Sequence, residues 1–206
     1  MPVVRWAWRG IRSAPLTVGY LVVLSATTAL LSLTSTDRAD RLLDTFSTNL
    51  HQLGRAPLRV LVGSAFWTSG WFELAQWVVL FFAVLAPVER RLGRRRTLLA
   101  FAVGHVGATL LVAAGLWLAV RFGDVAPTVA FARDVGVSYG FFSVAALAAY
   151  LLARRVQLCY LTLLIGYVTI AAATSHTFTD FGHMTAVAIG LVWYPLRRSS
   201  WAHTEP

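Results

Sequence analysis

Long apolar stretches alternate with short clusters of charged residues along this chain. A membrane-spanning helix needs about 20 predominantly apolar residues, because each residue adds 1.5 Å of rise. Six stretches approach or exceed that length and predict transmembrane helices: residues 14–36, 71–88, 98–120, 135–153, 156–173 and 181–196. The pattern therefore predicts an all-α integral membrane protein built as a bundle of six transmembrane helices.

Residues 37–70, between the first two predicted spans, follow a different pattern. Apolar positions recur there at helical spacing among charged residues, at Leu42, Leu43, Phe46, Leu50 and Leu53. This spacing predicts an amphipathic outer loop lying on the membrane surface. Its last part, from about residue 60 to residue 70, contains glycine, serine and threonine and is expected to be irregular and partly inserted.

Composition supports a lipid environment. Hydrophobic residues make up 57% of the 206 positions and charged residues only 13%, whereas soluble domains carry about 25% charged residues. In a soluble protein, a net charge of +9 would indicate a nucleic-acid partner. Here the arginines flank the predicted spans, so no nucleic-acid partner is expected. The length fits one transmembrane domain, residues 1–206.

The distribution of arginine predicts the orientation. The sequence contains no lysine, and twelve of its arginines lie at the termini or follow predicted spans two and four. The opposite side has six, partly offset by aspartates. Because cytoplasmic loops are enriched in basic residues, we expect both termini to lie in the cytoplasm. The expected location is the cell membrane, as a multi-pass protein of a bacterial plasma membrane.

Three polar residues lie at a similar depth under this topology. Glu73, Ser138 and His183 fall in the first turns of spans two, four and six, which all begin on the outer side. An ionisable group within a membrane costs roughly 2.5–3.5 kcal/mol on insertion scales and usually marks function. Serine and histidine can form a nucleophile and general-base pair, in which the imidazole takes the hydroxyl proton during attack on a carbonyl.

Each of these residues also has a structural interpretation, which for Glu73 is a carboxylate that extends to the outer water. A serine in a membrane helix commonly bonds to a carbonyl one turn earlier, and a histidine near a helix end often bonds a neighbouring helix. His105, in span three, is interpreted as such an interhelical group, far from Ser138 in depth. The single Cys159 cannot form an internal disulfide, and no His/Cys cluster predicts a metal site or cofactor.

Three motifs resemble the rhomboid intramembrane proteases. Residues 136–143 read GVSYGFFS, similar to the G-x-S-G motif that holds the rhomboid nucleophile. Residues 182–190 read GHMTAVAIG, similar to the rhomboid histidine followed by small residues and a glycine seven positions later. Residues 89–93 read ERRLG, similar to an element that follows the second rhomboid span.

The resemblance implies a rhomboid-like bundle with Ser138 as nucleophile and His183 as general base, without metal or cofactor. Glu89, Arg91, Gly93, Gly140 and Gly190 match structural positions of the family motifs. Small residues permit close helix approach in membranes. Spans four and six are therefore expected to pack through Gly136, Gly140, Ala186 and Gly190.

The sequence departs from active bacterial rhomboids around the oxyanion hole. Those proteins carry two histidines and an asparagine where this chain has Thr68, Glu73 and Trp77, and Tyr139 replaces the glycine after the serine. Loss of one oxyanion donor typically costs about 10²–10³ in rate. Backbone N–H groups near Gly136 and Tyr139 remain as donors, and Glu73 could orient the histidine.

Three functions stay open on the sequence alone. The first is an intramembrane serine endopeptidase that cleaves a transmembrane protein near the outer face. The second is an inactive rhomboid-like protein that binds transmembrane helices as clients within the lipid bilayer. A small transporter is a third candidate, although the chain lacks the repeat symmetry typical of that class. The sequence does not determine the oligomeric state.

Overall fold

The computed structural model describes residues 13–175 and 177–193, and all regular structure in these ranges is helical. Four helices are long and apolar enough to cross a membrane: Pro15–Ser32 (α1), Trp71–Leu92 (α5), Arg94–Phe122 (α6) and Arg154–Ser175 (α8). The others are Thr36–Phe46 (α2), Leu50–Arg55 (α3), Pro57–Gly63 (α4), Ser138–Ala148 (α7) and Phe178–Val192 (α9). The chain is therefore a multi-pass membrane protein.

The six predicted spans correspond to α1 and α5–α9, with boundaries that differ by five residues at most. Residues 194–196, the end of the sixth predicted span, lie outside the described residues. The outer loop is more regular than predicted, since α2, α3 and α4 occupy most of residues 37–70. The part expected to be irregular continues α4 as a 3₁₀ turn, Ser64–Phe66, and only the residues just before α5 lack helical structure.

The chain divides into two compact units. The first comprises the described residues of Met1–Leu99 with Arg133–Val137. In it, hydrogen bonds from α1 reach the 3₁₀ turn and its surroundings: the Tyr20 hydroxyl donates to the Ala65 carbonyl at 2.5 Å, and the Thr27 hydroxyl to the Phe66 carbonyl at 2.7 Å. These bonds satisfy backbone carbonyls in an irregular segment, which lipid cannot do.

Residues 133–137 are anchored within this first unit. Arg133 forms ion pairs with Asp44 at 2.8 Å and Asp40 at 3.0 Å, both on α2. The hydrogen bond to Asp44 and the charges of both carboxylates raise the pKa of Arg133. The Asp134 carbonyl accepts from the Thr48 N–H at 2.8 Å. The segment immediately before Ser138 is thus held by α2 and by Thr48, which follows it.

The second unit comprises Ala100–Ala132 and the described residues from Ser138 onward. Its buried centre is α7, in which every residue from Tyr139 to Leu147 is buried. Helix α9 packs closely on α7, and the Ser143 carbonyl lies so near Gly190 that a Cβ there would overlap it. Ala186 is fully buried. The predicted close contact of these two helices is therefore confirmed at Gly190.

The other two glycines predicted for this contact lie elsewhere. A Cβ on Gly140 would overlap the ring of Phe101, so Gly140 admits a side chain of α6. Gly136 precedes α7, and its nearest neighbour is the carbonyl oxygen of Trp67. The prediction was wrong for Gly136, and spacing alone does not say which helix covers a given face of α7.

Candidate functional site

Ser138 and His183 occupy early positions in the two packed helices. Ser138 is the first residue of α7 and is partly buried. His183 lies in the second turn of α9, because this helix begins at Phe178, three residues before the predicted start of the span. The side chain of His183 is 16% exposed. Both residues belong to the second unit.

The imidazole of His183 packs against aromatic rings from α7. Its ring centroid is 4.6 Å from that of Phe142 and 5.6 Å from that of Tyr139, the latter in an edge-on arrangement. Phe142 follows Ser138 by four residues, and residues at this spacing share one helix face. Helical side chains also lean toward the N-terminus, so the Phe142 ring extends toward the turn of Ser138. His183 therefore faces the side of α7 that carries Ser138.

The reactive atoms of the pair carry no protein hydrogen bonds in the described part of the chain. The Nε2 atom of His183 is buried without a hydrogen-bond partner there. The Ser138 hydroxyl also makes no bond to a described residue, neither to His183 nor to the carbonyl one turn earlier. The direct serine–histidine hydrogen bond of about 2.6–3.2 Å expected for a working dyad is thus absent from this structure.

The other imidazole nitrogen of His183 faces a carboxylate. Nδ1 lies 3.9 Å from Oδ1 of Asp180, one turn earlier on α9. The second oxygen of Asp180 accepts hydrogen bonds from the hydroxyls of Ser175 and Thr177. Thr177 in turn caps α9 by accepting from the Asp180 N–H at 3.3 Å. Sequence reasoning missed Asp180, although a threonine followed by an acid three residues later indicates a helix start.

Tyr139 fills the space between the helices next to this pair. A Cβ on Gly182 would overlap the Tyr139 ring, so the glycine before the histidine is what admits the tyrosine. The Tyr139 ring is also 6.4 Å from that of His105, which is buried on α6. His105 therefore lies near the ring of the residue that follows Ser138.

Of the residues predicted for the oxyanion region, Tyr139 belongs to the second unit, whereas Gly136, Glu73 and Trp77 lie in the first unit, where they have partners. Glu73 accepts hydrogen bonds from the Ser69 N–H at 2.5 Å, the Ser69 hydroxyl at 2.6 Å and the Trp77 indole N–H at 3.0 Å. Thr68 is 1% exposed, and its hydroxyl bonds that of Thr28 at 2.7 Å. Gly136 has φ +138°, a conformation that favours glycine, and donates its N–H to the Ser64 carbonyl.

The ERRLG element connects α5, α1 and α6 in the same unit. Glu89 is 3% exposed and accepts from the Leu16 N–H at 2.7 Å and the Thr17 N–H at 2.8 Å, both in the first turn of α1. The Thr17 hydroxyl donates a third bond at 2.8 Å. Gly93 turns the chain with φ +81°, while Arg91 is exposed. The element therefore caps α1 and makes the turn into α6.

The fold and this site define a class of protein: a helical membrane protein in which a histidine of one helix packs against the aromatic residues that follow a serine in another. The family model described as "Rhomboid-like protein" matches residues 9–203. The chain belongs to the rhomboid-like protein family, which confirms the resemblance found in its motifs. No curated protein and no solved structure matches the chain.

Proposed function

We propose that this rhomboid-like protein is an intramembrane serine endopeptidase, with Ser138 as nucleophile and His183 as general base. The observation that carries the proposal is the shared face of α7. His183 packs on Phe142, one turn after Ser138, and its buried Nε2 has no partner among the described residues. Buried polar atoms are normally hydrogen-bonded, so an unpartnered nitrogen at this position supports a functional role.

The proposed reaction uses both unpartnered atoms. Ser138 Oγ attacks the carbonyl carbon of a peptide bond while His183 Nε2 takes the hydroxyl proton. The protonated imidazole then gives that proton to the leaving amine, and water hydrolyses the acyl-enzyme. Hydrogen bonds in empty active sites are often long and tighten only with substrate. The absence of a serine–histidine bond in this structure is therefore compatible with the proposal.

Asp180 is proposed to position the histidine in place of Glu73. Its Oδ1 lies 3.9 Å from Nδ1 of His183, which favours the proton on Nδ1 and leaves Nε2 as the acceptor. The carboxylate is itself oriented by Ser175 and Thr177. Glu73 bonds instead within its own helix and the residues before it.

Oxyanion stabilisation is assigned to the start of α7. The first N–H groups of a helix have no intrahelical acceptor, and the helix dipole favours negative charge there. Ser138 is the first residue of this helix, so these donors lie next to the nucleophile. Side-chain donors are not part of this proposal, because the Trp77 indole N–H is used by Glu73.

The proposed topology has six spans with both termini cytoplasmic, α7 and α9 being the two short ones. Residues 138–151 form 14 helical residues, or roughly 21 Å at 1.5 Å each, against a hydrocarbon core of about 30 Å. With Arg154 and Arg155 at the cytoplasmic surface, Ser138 would lie several ångströms below the outer surface. The proposed substrate is a transmembrane protein whose helix unwinds near that depth.

A second candidate is a non-catalytic rhomboid-like protein that holds transmembrane clients. Two observations favour it: the Glu73–Trp77 pair occupies positions where active rhomboids carry donors, and Tyr139 packs over Gly182 beside the histidine. Under this alternative the same helices would form a binding surface without hydrolysis.

Labelling by a fluorophosphonate probe distinguishes the two functions. Purified wild-type protein should be labelled covalently, and Ser138→Ala and His183→Ala should not. Ser143→Ala, which changes a serine on the same helix, is the matched control and should retain labelling. A folded wild-type protein that is never labelled, yet crosslinks to transmembrane peptides as well as Ser138→Ala does, would favour the non-catalytic function.

A further inference from the structure

A cavity of about 670 Å³ lies in the first unit, where α1 begins and α5 turns into α6. Arg94, Arg95 and Arg96 contribute to its wall, and much of the remainder is apolar, with Leu16, Leu92 and Leu98. The volume falls within the roughly 300–1,000 Å³ typical of small-molecule sites. The cavity therefore combines a cationic part with a hydrophobic part.

Two arginines of the cationic part, Arg94 and Arg95, have no acidic partner in the part of the chain that the structure describes. None of the lining residues is acidic. Glu89, which precedes the turn, is 3% exposed, and both its oxygens accept hydrogen bonds from α1. The side chains of Arg94 and Arg95 are exposed and form no ion pair or hydrogen bond within residues 13–175 and 177–193. The start of α6 adds a positive helix dipole, so the cavity favours an anion.

We propose that this cavity binds an anionic phospholipid from the cytoplasmic leaflet. Arginine recognises phosphate through paired, charge-assisted hydrogen bonds, and the leucines suit the glycerol and first acyl carbons. A soluble anion would use only the arginines. Basic pockets between transmembrane helices on the cytoplasmic side bind such headgroups, and the arginine bias places this turn on that side. This proposal is independent of hydrolysis by Ser138.

The test titrates detergent-solubilised full-length protein with phosphatidylglycerol in mixed micelles and measures binding through the shift in melting temperature. Each arginine near anionic lipid contributes about fivefold in binding, so R94Q/R95Q/R96Q should bind on the order of 100-fold more weakly. The matched control is R154Q/R155Q, which changes exposed arginines predicted on the same side, and it should bind like wild type. Phosphatidylcholine should give no comparable shift.

Three outcomes would overturn the proposal. Equal weakening in the R154Q/R155Q protein would indicate general surface charge, and equal stabilisation by inorganic phosphate would indicate an anion site without lipid specificity. The third outcome comes from photocrosslinking of wild-type protein, an experiment that does not depend on folding of the triple variant. The probe is a phosphatidylglycerol that carries a photoreactive group near its glycerol. Adducts at Leu92 or Leu98 support the site, and adducts confined to other helices contradict it.

Discussion

The imidazole of His183 packs on the ring of Phe142 with centroids 4.6 Å apart, and Phe142 stands one helical turn after Ser138. This contact determines which face of α9 meets which face of α7. It also encloses Nε2, since the rings of Phe142 and Tyr139 both lie against the imidazole. Aromatic packing therefore holds the candidate base against α7 one turn after the candidate nucleophile, with no hydrogen bond between the two.

The two serines of α7 should respond differently to alanine. Ser143 is fully buried and donates to the Ala100 carbonyl at 3.0 Å, so Ser143→Ala should lower the free energy of unfolding by about 0.5–1.5 kcal/mol. Ser138→Ala should change it by less than about 0.5 kcal/mol, because its hydroxyl bonds no described residue. Thermal unfolding in detergent measures both. A larger loss for Ser138→Ala would show that its hydroxyl is structural.

Gly190→Ala should destabilise the second unit. Its new methyl group would overlap the Ser143 carbonyl oxygen, a backbone atom that cannot rotate away, and overpacking of this kind costs about 1–3 kcal/mol. Gly166→Ala on α8 is the control, since a Cβ there meets nothing within 4 Å. We expect a lower melting temperature for the first variant only. Equal melting temperatures would contradict the close contact of α7 and α9.

Asp180→Asn should slow covalent labelling while preserving the fold. The amide keeps the size of the side chain and an acceptor for Ser175 and Thr177 but removes the charge facing Nδ1 of His183. We expect the fluorophosphonate labelling rate to fall about 10- to 100-fold, less than the roughly 10⁴-fold loss in a full triad. The melting temperature should stay near that of wild type. An unchanged labelling rate would exclude a positioning role for Asp180.

Glu89→Ala should weaken the connection between α1 and α5. It removes a buried carboxylate that accepts three hydrogen bonds from Leu16 and Thr17, and bonds to a charged group contribute roughly 1.5–3 kcal/mol each. We expect unfolding to become easier by at least about 2 kcal/mol, with a smaller loss for Glu89→Gln. Glu73→Ala, at a partly exposed carboxylate, is the comparison. Equal stability of the Glu89 and Glu73 variants would contradict a capping role.

Reporter fusions test the six-span topology. Fusions within residues 37–58 and 121–134 should report the outer side, and fusions at residue 93 or residue 154 should report the cytoplasm, because arginine clusters remain inside. Fusions in these outer loops that reported a cytoplasmic position would invalidate the orientation, and with it the depth proposed for Ser138.

Sequence reasoning located the helices well because lipid demands long apolar stretches, and arginines mark the end of α5 and the start of α8. Beyond the contact of α7 with α9, sequence reasoning did not predict which helices pack against one another. The contact of Gly140 with Phe101 was not predicted, because periodicity defines the faces of a helix but does not say which helix packs against each face. Asp180 was overlooked because the predicted sixth span began at Phe181, three residues after the actual start of α9. An error of one turn in a helix start was enough to leave out the carboxylate beside His183.

The bonds between Glu89 and α1 also bear on biogenesis. The two partners are separated by more than 70 residues, and α2, α3 and α4 lie between them in the chain. Until α5 inserts, the first N–H groups of α1 lack their carboxylate acceptor; until α1 is in place, Glu89 lacks its three donors. Each helix therefore supplies the hydrogen-bond partners that the other lacks at the membrane boundary. We expect α1 to be retained beside the translocon until α5 is inserted.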